Sequence, residues 1–222
     1  MTTIEEPVAG RTLSKEEAYT RIKSALFEST DPEEVYSERS LSKRLELGLA
    51  PIRSAIGRLQ NEGLIVVLPN AGFMLKPMTH RAIADFYEVR MVVEAHVVTS
   101  LTGRVGPAQK QQIEAILVQQ ADCLLDNDAR TFHRLDMGFH IALARLHGNE
   151  EMIRILERLE DRMHRISVEL HGRHPERLRP LVEQHHGILD EIVSGDPVVA
   201  GVKLRDHLAW GRSMIVNRGQ HF

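Results

Sequence analysis

Apolar positions in the first third of the chain recur at helical spacing in three short groups, then switch to an extended pattern. Tyr19, Ile22, Leu26 and Phe27 form the first group. Ser14 and Glu17 stand at capping-box spacing ahead of it, and Asp31-Pro32 stops it. Ser37 is placed to cap a second, short helix carrying Leu41, Leu45 and Leu47, which Gly48 breaks. Pro51 suits the first turn of a third helix, whose stripe is Ile52, Ala55, Ile56 and Leu59 and which Gly63 ends. Leu64 to Leu68 is then a β-branched run, Pro69-Asn70-Ala71-Gly72 a turn, and Phe73 to Lys76 a returning strand. Two short helices across a tight turn, followed by a hairpin, are the order of a winged helix-turn-helix.

From residue 79 onward every predicted element is a helix. Ile83, Phe86, Tyr87, Val93 and Val97 share a face over 79–103, and Gly106-Pro107 opens a helix to about residue 127. A third covers about 129–147 and ends at Gly148, and Asn149 caps a fourth to about residue 171. A loop holding Gly172 and Pro175 leads to a fifth ending at Ser194-Gly195, and Asp196-Pro197 opens a sixth. The expectation is a mainly α chain with a flexible tail over 1–12, a winged helix-turn-helix over 13–77 and a six-helix antiparallel bundle over 78–222.

Composition narrows the class. Of 222 residues, 42% are hydrophobic and 27% charged, the balance of a chain with a real core and not of a disordered one. No apolar run reaches the roughly 18 residues of a membrane span, and the acidic start Met1 to Glu6 is unlike a signal peptide, so a cytoplasmic protein without membrane partners is expected. One cysteine, Cys123, excludes a disulfide framework and a multi-cysteine metal site. All twelve histidines lie from His80 onward, which marks a boundary near Pro77-Met78-Thr79. The net charge of −3 excludes an evenly basic surface but allows a local patch.

That patch is predicted over residues 39–58. Arg39, Lys43, Arg44, Arg53 and Arg58 face one acid there, Glu46. Phosphate neutralisation supplies much of the affinity of DNA-binding proteins, so such a surface points to double-stranded DNA. The recognition helix begins near Pro51, with Arg53 in the turn aimed at the major groove and Arg39 placed to hold the backbone. Gly72, at the tip of the wing, permits close approach to a phosphate or the minor groove.

The bundle carries polar residues where periodicity predicts apolar ones. Phe132, Leu135, Phe139, Leu143 and Leu146 define one stripe, with Asp136 and His140 on its border four residues apart. His185 lies inside the stripe Val182, Ile188, Leu189 and Ile192, and His207 shares a face with Leu204, Gly211 and Met214. One carboxylate and three imidazoles projecting inward would make an oxygen/nitrogen metal site. His133, Asp136, His140 and His147 form a rival set along one helix, and periodicity leaves the choice open. Arg90 and Glu94 share the face of Ile83, Phe86 and Val97, as a buried ion pair or as a reader of a ligand carboxylate.

Two motif sets carry a resemblance. Ser37-Glu38-Arg39-Ser40-Leu41-Ser42-Lys43-Arg44-Leu45, Ala50-Pro51-Ile52-Arg53-Ser54-Ala55-Ile56-Gly57-Arg58-Leu59 and Asn61-Glu62-Gly63-Leu64-Ile65 resemble the DNA-binding domain of GntR-type bacterial repressors. Arg39 and Arg53 match arginines that family uses on DNA. Leu49 stands where the family has a third arginine, and Ala50 where it has a polar cap. Asp136-Met137-Gly138-Phe139-His140-Ile141-Ala142-Leu143 with Gly148-Asn149, then Gln184-His185-His186-Gly187-Ile188, then Asp206-His207-Leu208, resemble the FCD domain of the FadR subfamily, and six helices look like its VanR-type branch. The resemblance implies metal ligands at Asp136, His140, His185 and His207, and a small organic-acid effector read by the similar Arg-x-x-x-Glu of Arg90 and Glu94. His133 and Arg134 are further effector candidates.

The expectation is therefore a dimeric, metabolite-responsive regulator, most simply a repressor, on a near-palindromic operator. Zinc leads among the ions such ligands accept, with nickel, manganese, cobalt and iron as alternatives. No catalytic residue is assigned. A metal-dependent hydrolase would need a separate general base, which the sequence does not offer. A constitutive DNA-binding protein with a structural metal is the other alternative.

Overall fold

A computed structural model describes residues 15–27, 31, 34–126, 128–171 and 178–216. The Ser14 cap, the Pro32 stop, the 1–12 tail and the Gly172 and Pro175 loop lie outside these residues. The chain divides into two compact units, Met1–Pro77 and Met78–Phe222.

The first unit holds α1 (Lys15–Phe27), α2 (Glu38–Leu45), α3 (Leu49–Asn61), β1 (Ile65–Leu68) and β2 (Gly72–Leu75). Ile22, Leu26, Leu41, Ile52 and Leu59 are fully buried and form its core. Ser37 caps α2: its side chain accepts from Ser40 N, and Ser40 Oγ accepts in return from Ser37 N. The end of α2 differs from the sequence expectation. Glu46, not Gly48, takes the left-handed conformation (φ 54°). Gly48 is instead the cap residue of α3, with no side chain to bond the free N–H groups. The helix then starts at Leu49, two residues before Pro51. β1 and β2 pair antiparallel from Ile65 opposite Leu75 to Leu68 opposite Gly72, and Asn70 (φ 61°) supports the turn.

Gly72 is also explained differently. It has φ 125°, and a Cβ there would collide with the Tyr36 carbonyl. Tyr36 exchanges two backbone hydrogen bonds with Phe73, at 2.7 and 2.9 Å, so the segment before α2 runs against the wing. The glycine is required by this contact inside the unit.

The second unit holds α4 (His80–Leu101), α5 (Pro107–Asp126), α6 (Ala129–His147), α7 (Glu150–His171), α8 (Leu178–Ser194) and α9 (Pro197–Val216). Thr79, Asp128 and Asn149 cap α4, α6 and α7 through side-chain oxygens, and Gly148 ends α6 in the left-handed region (φ 83°). α6 packs against α4, α5 and α7 together. It is therefore buried around more of its circumference than a single stripe implies. Asp136 and His140, read as border residues, are 2% and 1% exposed.

Candidate metal centre

Four side chains from three helices converge in the second unit. Asp136 and His140 stand one turn apart on α6, His185 comes from α8 and His207 from α9. All four are buried, and one ligand atom from each lies within 4.8 Å of the others. His185 Nε2 is 3.3 Å from His207 Nε2 and 3.4 Å from Asp136 Oδ1. His140 Nε2 has no hydrogen-bond partner among the described residues. The rival set does not assemble. His147 packs edge-on to His96, and His133 sits beside the Phe132 ring outside the cluster.

The outer nitrogen of each imidazole is held by an oxygen. Gln120, wholly buried on α5, donates its amide to Leu135 O at 3.0 Å, which turns its Oε1 towards His185 Nδ1 at 2.9 Å. Gln184 Oε1 faces His207 Nδ1 at 2.8 Å, and Glu94 Oε2 lies 2.6 Å from His140 Nδ1. These oxygens accept, so the protons sit on the Nδ1 atoms and lone pairs are left on the Nε2 atoms. Burial, followed by the neighbouring imidazoles, pushes His185 and His207 well below the ordinary histidine range, so both rings are neutral. The result is a buried centre in which neutral His185 and His207 turn lone pairs towards Asp136, whose carboxyl is raised by burial above its ordinary range against the opposing pull of His140 and Arg90; a cation there would favour its ionised form. Two Nε2 lone pairs 3.3 Å apart repel unless a cation lies between them. Ligands about 2.0–2.1 Å from one ion stand about 2.8–3.0 Å apart at octahedral angles and about 3.3–3.4 Å at tetrahedral ones, so the His185–His207 and His185–Asp136 separations suit a tetrahedral first-row divalent metal.

Glu94 has a second partner. Its Oε1 accepts from Arg90 Nε at 2.5 Å, and Arg90 Nη2 lies 3.4 Å from Oε2. Burial alone would raise this carboxyl, but Arg90 and His140 outweigh it and hold it at about 2. Glu94 is thus placed to orient His140 and is not among the described residues that line the neighbouring cavity. Replacing it by Gln should weaken metal affinity by about 10- to 100-fold, the usual cost of losing such an orienting carboxylate. Metal titration of wild type and Glu94→Gln checks this, and equal affinities would exclude the orienting role.

A cavity opens beside the cluster. The space inside it that a water-sized sphere can occupy is about 20 Å³, room for about one water, so a larger ligand would have to move its walls. Tyr87, Arg90, Asp136, Met163, Leu181, His207, Leu208, Trp210 and Gly211 line it. Arg90 therefore reaches both the cavity and, through Glu94, the cluster. Trp210, expected in the core, is half-buried at this wall. Arg134, expected near the effector, is exposed on α6 and does not line the cavity.

In the first unit the five basic residues separate into groups. Arg39 and Lys43 are exposed on α2. Arg53 is exposed on α3, with Nε 2.7 Å from Glu38 Oε2 at the start of α2. Arg44 is 3.9 Å from Glu34. Arg58 is committed within the unit. It contacts Glu16 at 2.6 Å and Glu62 at 2.9 Å, and its guanidinium lies 3.7 Å from the centre of the Tyr19 ring. It ties α3 to α1, and these contacts would compete with its expected role on DNA. Counting charge over 39–58 missed this because the acids that partner these residues lie outside that window.

The family model for the FCD domain matches residues 85–209, and that for bacterial regulatory proteins of the gntR family matches residues 14–75. The chain belongs to the GntR family and carries an FCD domain. A regulator of the HTH type in an unstable DNA locus of Streptomyces ambofaciens is 29% identical over 182 residues, 80% of this chain and 74% of its own. The HTH-type transcriptional repressor GlaR of Escherichia coli (strain K12) is 23% identical over 213 residues, 89% of this chain and 93% of its own. A solved structure of a GntR transcriptional regulator from Rhodococcus sp. RHA1 has the same fold, with a TM-score of 0.79 at 20% identity over 91% of this chain and 97% of that one. The protein is thus a DNA-binding GntR transcription regulator. Its FCD domain contains the Asp136, His140, His185 and His207 cluster, and no helix among its described residues is long and apolar enough to cross a membrane.

The residues missed by sequence reading in this FCD domain are the outer partners. Gln120 left a signal, since it interrupts the α5 stripe of Ile113, Leu117 and Leu124 at a position where leucine is expected. Gln184 left none, because it lies beside His185 in sequence and off the buried face.

Proposed function

We propose that this GntR regulator is a homodimeric repressor whose operator affinity is set by a small organic acid bound beside a divalent metal ion. Asp136, His140, His185 and His207 hold the ion, zinc first among the candidates. The observation that carries the reading is the buried convergence of Asp136, His140, His185 and His207 at the wall of a cavity that Arg90 also lines. When bound, the ion supplies a Lewis-acidic position for a carboxylate oxygen. Gln120, Gln184 and Glu94 keep the imidazoles in the correct tautomer, and Arg90 offers a guanidinium edge to the acid. Leu181, Leu208 and Trp210 keep water away. The acid acts on DNA by favouring one arrangement of the two winged units of the dimer, and its reach equals its differential affinity for the two arrangements. The name of GlaR, a repressor, supports the direction of control.

Arg39, Lys43 and Arg53, with Pro51 fixing the first turn of α3, form the proposed DNA face. Selection of genomic fragments by the metal-loaded protein at physiological salt should recover one near-palindrome. Arg39→Ala and Arg53→Ala should each weaken operator binding by about 1–3 kcal/mol, while Arg58→Ala should mainly lower stability. If no preferred sequence is recovered, or if no acid shifts operator affinity at any metal loading, the proposal fails. A protein that binds its operator regardless of acids, and unfolds on chelation, would instead carry a structural metal.

A further inference from the structure

We propose that Glu38 is a specificity-determining residue of the DNA face: it holds Arg53 by one edge, cancels its charge, and turns it from a phosphate contact into the reader of one guanine. This deepens the operator reading and rests on it. Arg53 stands one turn into α3, off the buried stripe of Ile52, Ala55, Ile56 and Leu59. Its Nε donates to Glu38 Oε2 at 2.7 Å. A guanidinium offers paired donors along two kinds of edge, a side edge that includes Nε and an end edge made by Nη1 and Nη2. Glu38 takes the side edge. The end edge is a fork that matches O6 and N7 of guanine. The Arg53 side chain stays 65% exposed, so the pairing leaves it accessible to a base.

Charge points the same way as geometry. An arginine with a net charge binds the phosphates of any sequence. Paired with a carboxylate it carries none, and its remaining N–H donors favour the neutral acceptor pair of a base edge. The carboxylate itself repels phosphate, which counts against sequence-independent binding. The pair adds little to the fold, since both side chains are exposed and α2 and α3 already share a core through Leu41, Ile52 and Leu59. The backbone beside Glu38 is nonetheless fixed twice. Ser37 and Ser40 close a capping box at the start of α2, and Tyr36 exchanges two hydrogen bonds with Phe73 of β2. Glu38 therefore stands at a set place where α2 meets the wing, as a carboxylate that positions another side chain requires.

The test uses the full-length, zinc-loaded protein and a pool of randomised duplexes. Wild type, Arg53→Ala, Glu38→Gln and Arg53→Lys each select bound sequences, and their affinity for a duplex with the wild-type motif scrambled is measured alongside. Wild type should select a guanine at one position of each half-site, and Arg53→Ala should lose it. Glu38→Gln should melt with wild type, lose about tenfold of the preference for that guanine and keep the other positions. It should also bind the scrambled duplex about two- to fivefold more tightly, with a salt dependence steeper by about one counterion, because the freed Arg53 charge now meets a phosphate. Arg53→Lys keeps a charge and loses the fork, so it should show the same pattern. Retention of the guanine by Glu38→Gln overturns the inference, as does equal weakening at every position or relaxation at a position that Arg53→Ala leaves alone. A Glu38→Gln protein that melts well below wild type makes the pair structural and also overturns it. Uniform weakening by Arg53→Ala assigns Arg53 to phosphate, which overturns the inference and leaves the DNA-binding reading intact. A wild type that selects no motif overturns both.

Discussion

Replacing His185 by Ala should lower zinc affinity by about 10²- to 10³-fold, and the zinc-dependent part of the melting temperature should be lost with it. Zinc-binding free energies for structural sites run to about 10–16 kcal/mol across their ligands, so one ligand in four carries roughly 3–4 kcal/mol. Wild-type protein at a zinc level about a hundredfold above its Kd gains about 2.7 kcal/mol of stability. For a chain of this size that corresponds to about 5–10 °C. A chelator should bring wild type down by this amount and leave His185→Ala where it was. His186→Ala is the control, since His186 is the next residue on α8 but points to solvent. Equal zinc retention by His185→Ala and wild type would sink the metal assignment. His185 is the informative choice because its ring joins every part of the centre: it stacks on Phe139 at 4.4 Å between centroids, donates from Nδ1 to Gln120 Oε1, and faces both His207 and Asp136.

The inner ligands of this centre were more legible in the sequence than their supports, for a physical reason. A ligand on a helix must face inward, so His185 and His207 betray themselves as polar residues at apolar positions. The i, i+4 spacing of Asp136 and His140 then places two ligands on adjacent turns. A supporting side chain needs only to reach the outer nitrogen of an imidazole, from any neighbouring helix. Glu94 reaches His140 from α4, and Gln120 reaches His185 from α5 across 65 residues of sequence. Nothing in local spacing encodes that. Helix boundaries were legible because caps are local chemistry: Ser37, Thr79, Asn149 and Asp196 each bond N–H groups two or three residues away. For Arg58 and Gly72 local spacing is silent about their contacts with distant segments, α1 and the Tyr36 backbone. Two residues with the right type in the right motif acquired structural work that the motif does not show.

Acidification should destabilise the FCD domain steeply below about pH 6.5, well before carboxylates titrate. His185 and His207 are neutral in the fold because burial, together with the neighbouring imidazoles, holds their pKa values well below the ordinary range. In the unfolded chain each takes up a proton near pH 6.5. Below that point the unfolded state binds more protons than the native one, so stability is full above about pH 6.5 and falls as pH drops. Two such groups cost about 2–2.5 kcal/mol between pH 6 and pH 5, or about 5–10 °C in melting temperature. Bound metal steepens the fall, because protons and the ion compete for the same lone pairs. Glu94 works over a lower range. Its pKa is held at about 2, so its contribution is present above about pH 4.5 and is lost only as pH falls towards 2. Thermal unfolding followed from pH 7.5 to pH 4 should therefore show the main loss of stability between pH 6.5 and 5, accompanied by release of metal. His207→Gln should reduce the slope in this interval by about half, since one of the two imidazoles that burial holds neutral is then missing. A melting temperature that stays flat from pH 7 to pH 5 would mean that these imidazoles keep their ordinary affinity for protons, and a centre in which both are neutral could not then be the native state.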